Sequence, residues 1–278
     1  MSSFLSPKIT RCAGTADAKL IHVGCAGWNI PSQYAAHFES IGTHLERYSR
    51  TFNCCGINSS FYRSHKYSTW ERWSASVPRG FRFSVKIPRT ITHDARLKCS
   101  PEELRAFLTQ VSYLGLKLGP LLVQLPPSCV YDHMIARRFF MLFRGLHDGD
   151  IVLEPRHKTW FNGGANDLLN EFSIARVAAD PACVPLAGVP TGHEQILYFR
   201  LHGSPRRYYS SYSSEFLNTM AGRIAELAGE VRVWCIFDNT AAGFATPNAL
   251  RLNAEITAST ELLQAAHTAQ SLSRLSSC

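Results

Sequence analysis

The chain has little charge and lacks the features that mark several special classes of protein. Charged residues make up 18% of its 278 residues, and no block of like charge or low-complexity linker divides it. No run approaches the roughly 18 consecutive apolar residues that a membrane-spanning helix needs. Residues 1–20 lack the apolar core of roughly 7–15 residues that a secretory signal has. These absences predict a soluble, cytoplasmic protein with no membrane partner.

The nine cysteines do not form the spacing of a zinc site or a disulfide framework. Their number is odd, and no two are separated as in Cys-X-X-Cys. Zinc sites need clustered thiolates, and disulfide frameworks usually occur in short secreted chains. Cys54, Cys55 and Cys235 lie within apolar runs, where a thiol packs as a small hydrophobe. We therefore expect reduced thiols, and neither a disulfide nor a structural metal is predicted to be needed for folding.

The net charge of +8 is scattered along the chain. The only adjacent basic pairs are Arg137-Arg138 and Arg206-Arg207. Excess positive charge favours anionic ligands and also attracts nucleic acid without sequence preference. A small, polar and anionic ligand is the partner we expect, with nucleic acid left open and a solvated basic surface as the simpler interpretation.

Eight short β-rich runs alternate with longer amphipathic segments. The runs are 21–28, 53–62, 81–88, 119–127, 150–157, 175–180, 196–203 and 231–239. The amphipathic segments include 67–77, 101–116, 133–147, 165–173, 214–229 and 247–265. Eight strands alternating with helices over about 250 residues are typical of the α/β class and of a (β/α)8 TIM barrel. A doubly wound open sheet is the alternative, but no glycine-rich phosphate-binding turn follows the first run.

Local signals refine this prediction. Ser100, Pro101 and Glu103 form the pattern of a capping box at the start of a helix. The link between the sixth and seventh runs is short and contains Pro and Gly, so its helix is predicted to be missing or irregular. We expect one barrel domain over 21–267, an N-terminal extension over 1–20 and a C-terminal tail over 268–278.

Polar residues near the ends of the runs are predicted to point into the barrel. Side chains alternate along a strand, so the apolar face belongs against the helices and the other face points inward. The predicted inward residues are Asn58, Ser84, Lys86, Gln124, Glu154, Arg156, Asp180, Arg200 and His202. Barrel enzymes build their active sites at the C-terminal ends of the strands, where these residues lie. An internal ion-pair network without chemistry is the alternative interpretation.

We predict Glu154, His202 and Lys86 as catalytic residues. An ionised Glu154 beside three cations can accept a proton, and His202 is then the better general acid. The predicted ligand-binding residues are Asn58, Gln124, Arg156, Asp180 and Arg200, with the loop aromatics Trp28, Tyr209 and Tyr212, whose rings can stack on a sugar or a base.

Segments along most of the chain resemble the YecE-like family, also called domain of unknown function 72. The matching pieces are VGCAGW (23–28), INSSFYR (57–63), FRFSVKIPRTITH (81–93), GPLLVQLPP (119–127), LEPRHKTWF (153–161), YFRLHG (198–203), YYSSYS (208–213) and FDNTAAGFATPNA (237–249). The resemblance covers roughly 21–252 and implies a barrel fold without implying an established reaction. Its last motif adds Asp238 and Asn239 to the predicted binding residues.

The chain departs from the family pattern at three places. Gly56 stands where the family usually has Glu, Cys25 and Ala26 stand where it has Thr and Ser, and Asp238 replaces a common Asn. The missing glutamate weakens any mechanism that needs three carboxylates.

Three other chemistries are open at the same strand ends. Lys86 could form a Schiff base if burial lowered its pKa, but neighbouring carboxylates are expected to keep it protonated. A metal could bind His93, Glu154, His202 and Asp238, although no local ligand motif supports this. Cys25 could act as a nucleophile with His202 as its base, but a small buried thiol is the simpler interpretation.

The sequence as a whole predicts a metal-independent enzyme, of the hydrolase or lyase type, acting on a small sugar- or phosphate-like substrate. No cofactor is predicted. The alternatives are a metal-dependent hydrolase or nuclease, and a barrel that binds a ligand or nucleic acid without catalysis.

Overall fold

A computed structural model describes residues 21–227 and 230–275. The predicted N-terminal extension, 1–20, lies outside the described residues. The predicted tail, 268–278, lies outside them only from 276 onward, because its earlier part continues the last helix.

Within the described residues, ten strands and eight α-helices form a mixed α/β fold with parallel sheets. The strands are β1 (Ile21–Cys25), β2 (Cys54–Ile57), β3 (Arg82–Lys86), β4 (Leu118–Gln124), β5 (Ile151–Glu154), β6 (Ala175–Arg176), β7 (Ala178–Asp180), β8 (Thr191–Gly192), β9 (Ile196–Leu201) and β10 (Arg232–Phe237). The helices are α1 (His44–Thr51), α2 (Ser59–Tyr62), α3 (Tyr67–Ala75), α4 (Pro101–Val111), α5 (His133–Leu146), α6 (Gly163–Glu171), α7 (Ser214–Glu226) and α8 (Ala245–Leu275).

Hydrogen-bonded pairing gives two sheets and not one closed sheet of eight strands. One sheet has the order β1-β10-β9-β7, and the other has the order β2-β3-β4-β5-β6-β8. Neighbouring strands are parallel except at β6 and β8, which pair antiparallel. Because the chain runs the same way along the parallel strands, their carboxyl ends collect at one edge of each sheet.

Local signals in the sequence agree with the observed elements. Each predicted run contains a strand, with the sixth divided into β6 and β7 at Val177. Ser100 and Glu103 form the predicted capping box of α4, through hydrogen bonds of 3.2 and 3.0 Å. Between β7 and β9 the chain forms only a 3-10 turn, Pro185–Gly188, and the two-residue β8, so residues 181–195 contain no α-helix, as predicted.

Two apolar clusters lie on opposite faces of the strands. The larger one packs helix residues against the outer faces. The smaller one draws on both sheets and contains Cys54, Leu122, Val152, Ala175, Val177, Ile196, Tyr198, Trp234 and Ile236. Ser84 belongs to the same face, since its hydroxyl lies 2.7 Å from that of Tyr198. Side-chain alternation therefore assigned most of the inner residues correctly.

Asp180 is the exception, because it points outward. In the parallel pairing of β7 with β9, Ala179 lies beside the inward Arg200 and Asp180 lies beside the outward Leu201. The Asp180 carboxylate accepts a hydrogen bond of 2.8 Å from the Tyr212 hydroxyl. No helix follows β7, so a cavity of about 480 Å³ remains on this outer face and accommodates a polar side chain there.

None of the helices among the described residues is both long and apolar enough to cross a membrane.

Candidate functional site

Eight polar residues meet at the carboxyl ends of the strands and are called the strand-end cluster below. Its members are Asn58, Lys86, Gln124, Glu154, Arg156, Arg200, His202 and Asp238. All eight were predicted from the sequence as site residues.

Glu154 is the centre of the strand-end cluster and is only 1% exposed. Its Oε1 accepts hydrogen bonds from Gln124 Nε2 at 2.9 Å and Arg156 Nε at 3.0 Å, and its Oε2 accepts one from Arg200 Nη1 at 2.9 Å. Burial by itself would raise the pKa of this carboxyl, but Arg200 and His202 hold the pKa well below its usual range. Glu154 is therefore an anion, as expected, and both of its oxygens are engaged.

His202 lies between two carboxylates. Its Nε2 is 3.2 Å from Glu154 Oε1, and its Nδ1 is 3.0 Å from Asp238 Oδ2. Carboxylate oxygens only accept hydrogen bonds, so both contacts form together only when both ring nitrogens carry protons. Asp238 also accepts from Arg200 Nη2 at 2.6 Å and from Asn58 Nδ2 at 3.2 Å. His202 thus joins the two carboxylates, and neither of its nitrogens is free for a ligand.

Lys86 is the cation of the strand-end cluster that pairs with no carboxylate among the described residues. It is 8% exposed, and its Nζ lies 3.8 Å from the centre of the Phe61 ring. Burial and then Arg200 lower the pKa of Lys86 to about 7, and Glu154 and Asp238 offset this only in part. The expectation that carboxylates would keep Lys86 protonated is wrong, because Arg200 engages both of them.

Arg156 has an unused hydrogen-bond donor. Its side chain is 17% exposed, and its Nη2 is buried without a hydrogen-bond partner among the described residues. Against the effect of burial, Glu154 and then Tyr208 raise the pKa of Arg156. The guanidinium is therefore a cation that keeps one buried donor without a partner among the described residues.

Tyr208 is a site residue that sequence reasoning missed. Its ring meets that of His202 edge-on at 5.6 Å, and its φ of 71° lies in the left-handed region that non-glycine residues rarely adopt. Such strain persists only where surrounding contacts hold it, and it concentrates at functional sites. The segment RRYYSSYS indicated an aromatic loop, but no periodicity in a loop tells which ring turns inward.

The two tyrosines predicted from that loop lie elsewhere. Tyr209 is exposed, with the Arg206 guanidinium 4.2 Å from its ring centre. Tyr212 is buried, and its hydroxyl accepts from the Gly203 amide at 2.8 Å besides donating to Asp180. None of the contacts described for these two tyrosines is with the strand-end cluster. Through its hydrogen bonds to Gly203 and Asp180, Tyr212 holds the loop in place.

Asn239 also holds this loop. Its Nδ2 donates to the Ser210 carbonyl at 2.9 Å and to Asn248 Oδ1 at 2.8 Å. Its side chain is fully buried. Asn239 was predicted to bind a ligand, but in the structure it positions the segment that carries Tyr208.

Trp28 lies beside the strand-end cluster and packs outward. Its ring meets Trp73 at 5.0 Å and Phe83 at 6.4 Å, both edge-on. It also lines a cavity of about 350 Å³ together with Gly56 and Asn58. Because Asn58 bonds to Asp238, this cavity adjoins one side of the cluster.

The alternative metal set is not assembled among the described residues, which contain no group of three or more His, Cys, Asp or Glu side chains placed to hold a metal. His93 lies apart from the two carboxylates, against the Phe61 ring at 4.8 Å and the Thr92 hydroxyl at 2.9 Å. The alternative nucleophile, Cys25, is buried, and burial raises the pKa of its thiol to about 12. A thiol of this kind is unreactive at neutral pH.

The family model described as "Protein of unknown function DUF72" matches residues 22–272. The chain belongs to this family. It is similar to UPF0759 protein YecE of Escherichia coli K12, with 34% identity over 109 residues. That match spans 39% of this chain and 39% of the relative. UPF0759 protein YunF of Bacillus subtilis is 24% identical over 261 residues, which is 82% of this chain and 92% of that protein.

Crystal structures of two DUF72 family proteins have a similar fold. The protein from Thermotoga maritima superposes with a TM-score of 0.71 at 22% identity, covering 85% of this chain and 99% of its own. The one from Enterococcus faecalis superposes with a TM-score of 0.72 at 20% identity, covering 85% and 95%. The match of the family model confirms the resemblance found in the sequence motifs.

Proposed function

We propose that the protein is a metal-independent enzyme that acts on a small anionic substrate, of the sugar-phosphate type, at the strand-end cluster. The observation that supports this most is the unused donor of Arg156 next to a lysine without a carboxylate partner. Phosphate and carboxylate groups accept the paired N–H bonds that a guanidinium offers.

The charge balance of the cluster favours an anion. The cluster contains three basic side chains, Lys86, Arg156 and Arg200, and two carboxylates, Glu154 and Asp238. Arg200 and His202 each form hydrogen bonds to both carboxylates. A bound anion would therefore meet Lys86, which pairs with no carboxylate among the described residues, and the Nη2 of Arg156, which the pair with Glu154 does not use. Buried cations are stabilised by an anion of this kind.

The residues of the cluster divide into two layers by exposure. We assign the buried layer to three residues that orient the others and are each 1% exposed, namely Glu154, His202 and Arg200. We assign contact with the substrate to Lys86, Arg156 and Tyr208, because each offers a polar atom outside that buried layer. Lys86 then replaces Glu154 and His202 as the residue for proton transfer or attack.

We further propose that the two sheets belong to one barrel. Val177 alone separates β6 from β7, and its amide donates to the Leu153 carbonyl at 2.8 Å. At the other seam, Ala26 and Gly56 form a parallel bridge, and the Gly27 amide donates to the Gly56 carbonyl at 2.7 Å. Closure would place all eight main strand ends around a single opening, as in other (β/α)8 enzymes.

The test is binding and turnover in the presence of EDTA. The probes are inorganic phosphate and a panel of sugar phosphates, with binding measured by calorimetry and turnover by ³¹P NMR. We expect Arg156→Met to weaken phosphate binding by about tenfold or more, because a hydrogen bond to a charged group contributes roughly 1.5–3 kcal/mol.

The matched control is Lys117→Met, which removes a positive charge just before β4, at the opposite end of the strands. Equal weakening in both variants would show attraction to net charge only and would reject the site. Binding without turnover of any probe would favour a ligand-binding protein, and turnover lost with EDTA would favour the metal-dependent alternative.

A further inference from the structure

We propose that Lys86 forms an imine with an aldehyde or ketone that carries a phosphate or carboxylate group. This inference rests on the proposed function for the anion-binding part of the site, and it adds the substrate class and the reacting atom.

The fold holds Lys86 at the end of β3 in a fixed position. Its carbonyl accepts a hydrogen bond of 2.6 Å from the Ser60 hydroxyl, and the strand pairs with β2 on one side and β4 on the other. Phe61 covers one side of the side chain, with its ring centre 3.8 Å from Nζ. Phe61 therefore shields one side of the amine, and a carbonyl compound has to approach Nζ from another side.

The charges around Lys86 come from the ends of β5, β9 and β10 and from the turn after β3, whereas the adjacent strands β2 and β4 contribute the neutral Asn58 and Gln124. Arg200 lies on β9, Glu154 and Arg156 lie on and after β5, Asp238 follows β10, and His93 lies in the turn after β3. Arg200 and Arg156 oppose an ammonium ion at Nζ, whereas Glu154 and Asp238 favour one, and burial shifts the balance toward the neutral amine.

The pKa of Lys86, lowered to about 7 by burial and by Arg200, agrees with this geometry. Only the neutral amine has the lone pair that attacks a carbonyl carbon. At neutral pH about half of the molecules would hold Lys86 in that form, whereas an ordinary lysine with a pKa near 10.4 is almost wholly protonated.

The reaction balances without an oxidant or a reductant. The Lys86 nitrogen attacks the carbonyl carbon, the C=O π bond breaks as the C–N bond forms, and one amine proton passes to the oxygen. With a second proton, taken from solvent, the carbinolamine breaks its C–O bond and loses this oxygen as water, which leaves a protonated imine with a double bond between nitrogen and carbon. The protonated imine withdraws electrons from an adjacent C–C or C–H bond, which is the chemistry of a lyase.

Arg156 sets the position of the anionic group. Its unpartnered Nη2 and the Lys86 amine belong to one cluster, and we assign the anionic group of the substrate to Arg156 and its carbonyl carbon to Lys86. Dihydroxyacetone phosphate and pyruvate represent the phosphate and carboxylate versions of such a substrate.

The experiment traps the imine on the full chain. Each probe is incubated with the protein and cyanoborohydride, which reduces an imine to a stable amine, and the modified lysines are mapped by peptide mass spectrometry. Lys66, which is exposed, serves as the internal comparison. We expect Lys86 to be labelled at least about tenfold faster than Lys66 at pH 7, with a rate that rises through a midpoint near 7 and is suppressed by inorganic phosphate.

Two outcomes separate this inference from the proposed function. If phosphate binds in an Arg156-dependent way but Lys86 is labelled no faster than Lys66, the imine is rejected and the anion site stands. If phosphate does not bind and labelling is equal, both are rejected. Lys86→Arg removes the reactive amine, so the fast-labelled peptide is expected to disappear. Because the comparison of Lys86 with Lys66 uses the unmodified protein, it remains decisive even if this variant fails to fold.

Discussion

Individual residues of the strand-end cluster differ in how much of their bonding capacity the fold uses. Glu154 and His202 have all their polar side-chain atoms engaged, whereas Arg156 keeps a free donor and Lys86 has no carboxylate partner among the described residues. A saturated residue fixes geometry, and an unsaturated one is available to a ligand. Arg200 also keeps its Nε without a partner, but its two Nη atoms bind Glu154 and Asp238, so we place it with the residues that hold the site.

Glu154→Gln tests the holding role. The variant keeps the shape of the side chain but leaves Arg200 and Arg156 without their charge partner, so we expect a loss of roughly 3–5 kcal/mol in the free energy of unfolding at pH 7, measured by urea denaturation. The control is Glu171→Gln, which breaks a half-exposed pair with Arg137 and should cost about 1 kcal/mol or less.

The pH dependence of the same variant has a definite sign. The folded-state pKa of Glu154 lies well below its unfolded value, near 4.3, so its stabilisation is fully present above that value and is lost as the pH falls through the folded pKa. The difference in stability between wild type and variant should therefore shrink on acidification. A Glu154→Gln protein as stable as Glu171→Gln would show that the ion pairs do not hold the strand ends.

At the scale of elements, the seam between β1 and β2 depends on the absence of a side chain. A Cβ placed on Gly24 would lie 2.0 Å from the Cys54 carbonyl oxygen and 2.8 Å from the Tyr48 hydroxyl. The same hydroxyl accepts from the Cys25 amide at 2.7 Å, so α1 and the two strands meet at this point. The backbone of β1 can approach β2 this closely only at glycine.

Gly24→Ala should therefore destabilise the protein by at least about 3 kcal/mol, because backbone atoms cannot move aside as a side chain can. Gly222→Ala in α7 is the matched control, since a Cβ there meets nothing within 4 Å. The control should be stabilised by about 0.5–1 kcal/mol through a better helix propensity. Equal melting temperatures for the two variants would contradict the close approach of the strands.

The whole molecule is stabilised by two apolar clusters and not by cross-links among its described residues. The seven described cysteines are free thiols, and most are buried within apolar surroundings. Its stability should therefore respond to packing and to the ion pairs at the strand ends, and not to the redox state of the medium.

We expect reductant and chelator each to change the melting temperature by less than about 2 °C, which for a domain of this size corresponds to well under 1 kcal/mol. Calorimetric scans with dithiothreitol, with EDTA and with neither measure this directly. A fall of about 5 °C or more with either reagent would reveal a disulfide or a structural metal.

Much of the secondary structure can be predicted from the sequence, because strand alternation and helix capping depend on residues close together in the chain. Alternation along a strand has a period of two residues, so Arg200 and His202 could be assigned to one face without knowing any neighbour. The capping box at Ser100 and the missing helix after β7 are equally local. Asp180 was misplaced because a polar residue on an uncovered outer face looks the same in the sequence as one that faces inward.

Only the tertiary structure decides which of the charged side chains at the strand ends form ion pairs with one another. Glu154 on β5, Arg200 on β9 and Asp238 after β10 are far apart in the chain, and no local pattern predicts that Arg200 takes both carboxylates and leaves Lys86 without one. The conformation of the loop likewise places the ring of Tyr208, and not that of Tyr209, against His202. The sequence by itself determined the strands, their inner faces and the family, since these depend on near neighbours. The pairing of charges depends on distances between remote strands, and only the folded chain sets those.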